Sequence, residues 1–505
     1  VGQDQEEREE GRAAVSSGRI ARLIHPDFRF GSTSTAKALK LVELGVGGFC
    51  FYGRESARVV SETIRLLRAA AKTPLIISSD YERGAGQWVS DATELPPNMA
   101  IGASGSEAFA RRKGEITAAE AGAMGVDWIF APVADLATNP ANPIVNLRAF
   151  GDSPGSAAGL ASAYISGLHS RNAVSCLKHF PGHGGTAVDS HLTLPVLDRS
   201  LEELEALELV PFRRLLARTD AVMAGHLKVP ALDPSAPASF SRNIITGLLR
   251  GTMKYDGCVI TDALNMKAVS DEGAAAVKAL RAGVDILLYP DDPFKMHEAL
   301  CRAFDSGELG PAVLDKALAR QAALAAKISA GSLDRAEPAC VGCAEHKAFV
   351  KDIAPDCLAW AFRNGSFSLK AGETVRYLEP LTKPDDWKGR AFVEELSRLG
   401  ARVVPGAGAW KTIIGSFSGP VAFSGNINLG REASAEIAGA LAGGGALMAA
   451  FGSPFVFSDF HRRLDAGLCA FCPLPEFQRA AAGAIFGAVK AGGSMPVNLR
   501  LEGRS

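Results

Sequence analysis

AVSCLKHFPGHGGTAVDSH, residues 173–191, starts as an apolar run and breaks into a loop crowded with ionisable groups. The run 173–177 has little polar alternation, as expected of a strand buried on both faces. Lys178 and His179 stand at its end. Runs at 46–52, 75–78, 128–133, 221–224, 258–261 and 285–289 read the same way, and 20–24 is the weakest member of the set. Asp80, Asp135, His226 and Asp262 follow four of these runs. Helical patterns lie between them, at 57–71, 106–124, 153–170 and 201–217. Ser200 and Glu203 have the spacing of a capping box at the start of the last helix.

Alternating strands and helices fit either a doubly wound sheet or a (β/α)8 barrel. The polar strand ends choose between them. In a barrel every C-terminal strand end faces one mouth, where barrel active sites sit. One such residue reads as an ordinary cap, but five in register favour the barrel. The expected fold class is therefore α/β: a (β/α)8 TIM-type barrel, then a smaller three-layer α/β/α sandwich. The barrel is placed at 13–330, a Gly-, Pro- and Cys-containing linker at 331–346, and the sandwich at 347–505. Sandwich strands are expected at 374–378, 412–415, 421–424, 447–451 and 468–471, with helices at 433–441 and 475–489.

The 505 residues are 47% apolar and 22% charged, as in globular domains. A net charge of -1 gives no electrostatic case for nucleic acid or an anionic membrane as partner. No apolar stretch is long enough to span a bilayer. Nine cysteines, an odd number spread along the chain, argue against a disulfide framework and favour a reducing compartment. A cytoplasmic location is expected on that ground, and a periplasmic or secreted one if a signal peptide was removed. Two CxxC pairs, Cys340/Cys343 and Cys469/Cys472, raise a structural zinc site. The first lies in the linker and the second borders an apolar run, so free thiols are the simpler reading.

Within 178–191, the spacing Asp189-x-His191 puts both side chains on one face of an extended segment. A carboxylate there can hold the imidazole tautomer and raise its pKa toward working pH. His179, His183 and His191 could instead ligate a metal, but so Gly-rich a loop is a poor frame for three rigid ligands. In VITDALNM, residues 259–266, Asp262 closes an apolar strand at the same mouth. A carboxylate so placed can attack an anomeric carbon if a separate acid serves the leaving oxygen.

These motifs carry a resemblance. KHFPGHG (178–184), DSH (189–191), ITDALNM (260–266), APVADLATNPANP (131–143) and LRAFGDSP (147–154) resemble glycoside hydrolase family 3, in particular its bacterial β-N-acetylglucosaminidases. The late motifs FGSP (451–454) and GSMPV (493–497) are similar too. The resemblance implies a retaining exo-β-N-acetylglucosaminidase acting on terminal β-GlcNAc, with peptidoglycan (muropeptide) fragments as the natural substrate. It implies Asp262 as covalent nucleophile and Asp189 with His191 as acid/base dyad. Asp80, Arg148, Lys178 and His179 would hold sugar hydroxyls, and His226 and Met266 would line the pocket. Asp135 is expected to support the loop around Asn139 and Asn142. No metal or organic cofactor is implied, and the one partner is a small carbohydrate.

A neutral imidazole base does not repel an incoming anion, so a β-N-acetylglucosaminide phosphorylase with the same residues is an alternative. A non-catalytic sugar-binding protein on this scaffold is another. Two positions depart from the family pattern. The family's DQEGG is Asp80-Tyr81-Glu82-Arg83-Gly84 here, and Gly185 stands where the family has Asp. Neither departure touches the nucleophile or the dyad.

Overall fold

The structure, a computed structural model, describes residues 17–188, 193–266, 271–331, 338–365, 367–406, 411–419, 429–443 and 445–501. It divides into two compact units. The first comprises the described parts of Val1–Glu94, Ala110–Asp135 and Ala161–Cys343, and the second those of Leu95–Phe109, Leu136–Leu160 and Ala344–Ser505. The sequence reading kept 13–330 together, yet 95–109 and 136–160 belong with the C-terminal unit. Hydrogen bonds hold them there. Asp152 N–H donates to Pro496 O (3.1 Å), Asn498 N–H to Asp152 Oδ2 (2.7 Å) and Ser494 N–H to Ala103 O (2.8 Å).

The first unit contains β1 (Ile24–His25), β2 (Asp27–Arg29), β3 (Gly48–Tyr52), β4 (Ile76–Ser79), β5 (Trp128–Ile129), β6 (Val174–Phe180), β7 (Ala221–Ala224), β8 (Cys258–Thr261) and β9 (Leu287–Leu288). Strands β2 to β8 form one seven-stranded sheet in sequence order, and β1 pairs with β9. All of these pairings are parallel. The two sheets close into a cylinder. Ile260 bridges Ile286 beside β9, and Ile24 pairs with Leu287. On the other flank, Gly47 N–H donates to Ile24 O (3.2 Å) and Cys50 N–H to Pro26 O (3.0 Å). β1 and β2 are thus one barrel strand interrupted at Pro26, which has no N–H to give the ladder. This strand lies later than the expected 20–24, since Ser17 to Ile20 are helical.

Side chains alternate across a strand. Cys176, Cys258, Ile260, Met223, Trp128 and Phe130 belong to one buried core, joined by Leu324 and Ile328 of the helix Pro311–Gly331. By the same period of two, Lys178 shares a face with Cys176, Asp262 with Ile260, and Asp80 with Ile76. The charged groups therefore cap the apolar column at its C-terminal end.

The expected helix 201–217 is split into Leu201–Ala206 and Leu209–Leu215. Pro211 explains the break: in a continuous helix its ring would strike the carbonyl four residues back, at Leu207. The capping box at Ser200 and Glu203 forms as expected.

The second unit has a six-stranded sheet made of β10 (Ala359–Arg363), β11 (Thr374–Leu378), β12 (Arg402–Val404), β13 (Lys411–Ser416), β14 (Ala446–Ala450) and β15 (Ala466–Cys469). The order is β10-β15-β14-β13-β11-β12, and only β10 runs antiparallel to its neighbour. Phe392, on the helix Arg390–Arg398, packs against Tyr377 and Phe451. This is the expected α/β sandwich. The edge strands β10 and β12 were not anticipated, and the expected strand 421–424 lies outside the described residues.

Candidate active site

Parallel register carries the predicted residues to one end of the barrel. Asp80 follows β4, Lys178 and His179 lie near the end of β6, His226 follows β7, and Asp262 follows β8. Asp262 N–H still donates to Ala224 O of the adjoining strand (2.9 Å).

Lys178 is buried, and its Nζ lies 2.6 Å from Asp80 Oδ1 and 2.7 Å from Glu82 Oε1. An ammonium out of water is costly unless paired, and charge-assisted bonds this short are the usual remedy. Glu82 is nearly sealed, while the Asp80 side chain keeps 33% of its exposure. Asp80 is thus the carboxylate of this trio that solvent, or a sugar, can reach.

His179 Nδ1 lies 2.6 Å from Asp135 Oδ2. The carboxylate fixes the tautomer, with the proton on Nδ1. Asp135 also accepts from the backbone N–H groups of His179 (3.2 Å) and His183 (2.7 Å). Burial opposes its charge, but His179 and the main-chain donors outweigh burial and hold its carboxyl below the usual range. Asp135 therefore anchors the start of the Gly-rich loop, not the turn at Asn139 and Asn142. That turn caps itself: Asn142 Oδ1 accepts from Ile144 N–H (2.9 Å) and Val145 N–H (2.7 Å).

His183 is fully buried beside His179, and burial pushes its pKa down to about 4. Its Nδ1 lies 3.0 Å from Thr186 Oγ1. Among the described residues no three His, Cys, Asp or Glu side chains gather as a metal site. Cys469 and Cys472 are buried, and Cys340 and Cys343 are partly so.

Asp262 is half-buried, and its Oδ1 accepts from Ala263 N–H at 2.8 Å. The backbone after it is pinned to β9 by Leu264 N–H to Leu288 O (2.9 Å) and Asn265 N–H to Tyr289 O (3.0 Å). Met266 is buried nearby in sequence, with its N–H on Ala263 O (3.3 Å). His226 is fully buried. Its Nδ1 lies 2.6 Å from Ser239 Oγ and its Nε2 3.2 Å from Ala263 O.

Asp189 and His191 lie outside the described residues. Arg148 belongs to the second unit, on the turn Asn146–Arg148, where its carbonyl accepts from Asn98 Nδ2 (2.8 Å).

The model of the glycosyl hydrolase family 3 N-terminal domain matches residues 17–324. The chain belongs to glycosyl hydrolase family 3. A β-hexosaminidase of Idiomarina loihiensis is 35% identical over 273 residues, covering 52% of this chain and 82% of that one. A β-hexosaminidase of Pseudomonas aeruginosa is 39% identical over 254 residues, covering 49% and 76%. Among solved structures, a family 3 β-N-acetylglucosaminidase from Paenibacillus sp. str. FPU-7 superposes with a TM-score of 0.82 at 26% identity, over 96% of this chain and 99% of that one. A β-glucoside phosphorylase, BglX, superposes with a TM-score of 0.88 at 22% identity, over 97% and 96%, which speaks to the fold alone.

In this family 3 glycoside hydrolase, Glu82 is the residue that sequence reasoning missed. It stands two positions after Asp80, the spacing that put Asp189 and His191 on one face, and the same reading would have paired it with Asp80. Arg83, at the departure from DQEGG, is occupied locally: its guanidinium pairs with Glu94 (3.0 Å) and its N–H meets Gln87 Oε1 (3.0 Å).

Proposed function

We propose that this family 3 hydrolase removes terminal β-linked N-acetylglucosamine with retention of configuration. The carrying observation is Asp262, half-buried at the end of β8 with one carboxylate oxygen held by a main-chain N–H. It shares a strand-end layer with the Asp80–Lys178–Glu82 trio and the Asp135-held His179. The printed names of the β-hexosaminidase relatives and of the Paenibacillus enzyme support the choice of sugar.

In this reading Asp80, Lys178 and His179 hold sugar hydroxyls, and Met266 lines the pocket. Arg148 is assigned to the same task by its motif. Asp262 attacks the anomeric carbon while His191, oriented by Asp189, gives its proton to the leaving oxygen. His191 then takes a proton from water, which attacks the same carbon, frees the sugar and restores the Asp262 carboxylate. A GlcNAc-terminated muropeptide fragment is the proposed natural substrate.

The test is turnover of p-nitrophenyl β-N-acetylglucosaminide beside the matching β-glucoside, with and without phosphate. GlcNAc release indifferent to phosphate is expected. GlcNAc-1-phosphate appearing with phosphate would make the enzyme a phosphorylase. Preference for the glucoside would overturn the choice of sugar, and no turnover of either would overturn the enzymatic reading.

A further inference from the structure

We infer that His226 is a positioning residue for Asp262 and not a sugar ligand, an inference that rests on the reading of Asp262 as the nucleophile. A neutral imidazole has one N–H donor and one acceptor nitrogen. A carbonyl only accepts, so the 3.2 Å contact with Ala263 O puts the proton on Nε2. Nδ1 then accepts from the Ser239 hydroxyl, 2.6 Å away. Both polar sites of the ring are committed, and the ring is wholly buried. A sugar hydroxyl has neither a free nitrogen nor a path to one. Burial lowers the pKa of His226, against the opposing pull of the Asp262 charge, and this suits a ring that stays neutral. His179 is the other titratable group whose charge reaches it.

What the ring holds is the residue next to the nucleophile. Ala263 gives its N–H to Asp262 Oδ1 at 2.8 Å and its carbonyl to His226. A shift of Ala263 would therefore turn the carboxylate. The ladder pins Asp262 N–H to Ala224 and the segment after it to Leu288 and Tyr289. The Ala263 carbonyl lies past the end of β8, where it accepts from Met266 N–H within its own turn (3.3 Å) and from His226 Nε2 across from β7 (3.2 Å), so the side chain of His226 ties that turn to the neighbouring strand. The far end of the relay is itself fixed. Ser239 is fully buried in the turn Ala238–Phe240, and Ala238 N–H donates to Leu227 O (2.8 Å). The Phe240 ring lies 5.3 Å from the imidazole, limiting its swing.

The experiment compares His226→Leu, His226→Gln and Ser239→Ala with the wild type on p-nitrophenyl β-N-acetylglucosaminide, with inhibition by free GlcNAc as a measure of sugar binding. His226→Leu should lower kcat about 10²-fold, the scale of a small misplacement of a reacting group, with KM and GlcNAc inhibition within about twofold. Its acid limb should move to higher pH, because a carboxylate losing a main-chain N–H bond becomes a weaker acid. His226→Gln, whose amide N–H can reach the Ala263 carbonyl, should recover about tenfold of the loss. Ser239→Ala should lower kcat about fivefold at unchanged KM. It also carries the test by itself if His226→Leu does not fold.

A KM raised tenfold or more with kcat held, or wild-type kinetics in Ser239→Ala, would overturn the inference. Failure of the proposed function appears elsewhere, as a wild-type enzyme that releases no GlcNAc.

Discussion

At the C-terminal end of the barrel strands stand Asp80, Asp135 and Asp262; at the N-terminal end, just before β5, β7 and β9, stand Asp127, Asp220 and Asp285. Asp220 accepts from His169 Nε2 (2.7 Å), Ser175 N–H (2.8 Å), Ser175 Oγ (2.9 Å) and Lys327 Nζ (3.0 Å). Asp285 accepts from Val259 N–H (2.8 Å) and from Arg250 (2.7 Å) and Arg320 (3.3 Å), and Asp127 pairs with Arg68. Two of these carboxylates strap one strand's N–H to the start of the next. Their side chains are shut off from water, with Asp285 at 1% exposure against 33% for Asp80. The residue type is the same at both ends. Access is what differs: one row is consumed in holding the cylinder together, while in the other Asp135 is spent on His179 and the loop but Asp80 and Asp262 keep carboxylates that an incoming molecule can touch.

That contrast predicts a separation of stability from activity. Asp262→Asn should cut kcat by about 10³-fold or more, with the thermal midpoint unmoved. Substantial residual turnover would break the contrast from the active side. Asp285→Ala should do the reverse. It strips Val259 N–H, Arg250 and Arg320 of their common acceptor, which costs about 3 kcal/mol in urea unfolding, with kcat per folded molecule unchanged. A drop in kcat as large as the loss of stability would show that the two ends are not independent.

Between the ends, His25 lies fully buried with no hydrogen-bond partner for either ring nitrogen among the described residues. Burial pushes its pKa down to about 3. The unfolded chain binds a proton at His25 near pH 6.5 and the folded one does not, so stability falls as pH drops from there toward 3. The loss by pH 5 is about 2 kcal/mol. His25→Leu should remove that slope, which denaturant titrations at pH 7 and pH 5 would read; an unchanged slope would place the acid sensitivity elsewhere. The smallest effect is expected at Ser200, where Ser200→Ala removes the capping box at a cost of about 1 kcal/mol. It sharpens the comparison as a control lying outside both rows.

The barrel was legible because its strands are continuous apolar runs and its mouth repeats one signal, a polar residue at the strand end. That signal was blind to Asp127, Asp220 and Asp285, which precede their strands and whose partners, such as Lys327 and Arg320, are distant in sequence. The first strand was misplaced because Pro26 divides it into pieces too short to show a period. Glu82 was read only as part of the departure from DQEGG; its spacing from Asp80 was legible, but its pairing with Lys178 arises only on folding. His226 was correctly placed at a strand end, but its burial, and hence the occupation of both its nitrogens, is a property of packing that no local pattern records. The edge strand β12 escaped because its three residues are too few to show a period, whereas β10 begins with an apolar run, Ala359 to Phe362, that continues directly from the preceding helix and so reads as its end.

The two segments 95–109 and 136–160 also bear on how the protein is made. A chain emerges from the ribosome N-terminus first, at about 5–20 residues per second. Both segments are synthesised early, but the sheet of their own unit is finished only after β15. Roughly 15–80 s of elongation separate them from their partners. During that interval the two stretches have each other, as in the bond from Asn98 Nδ2 to the Arg148 carbonyl, but lack Ser494, Pro496 and Asn498. Cutting the gene at the expected linker would take those C-terminal partners away for good.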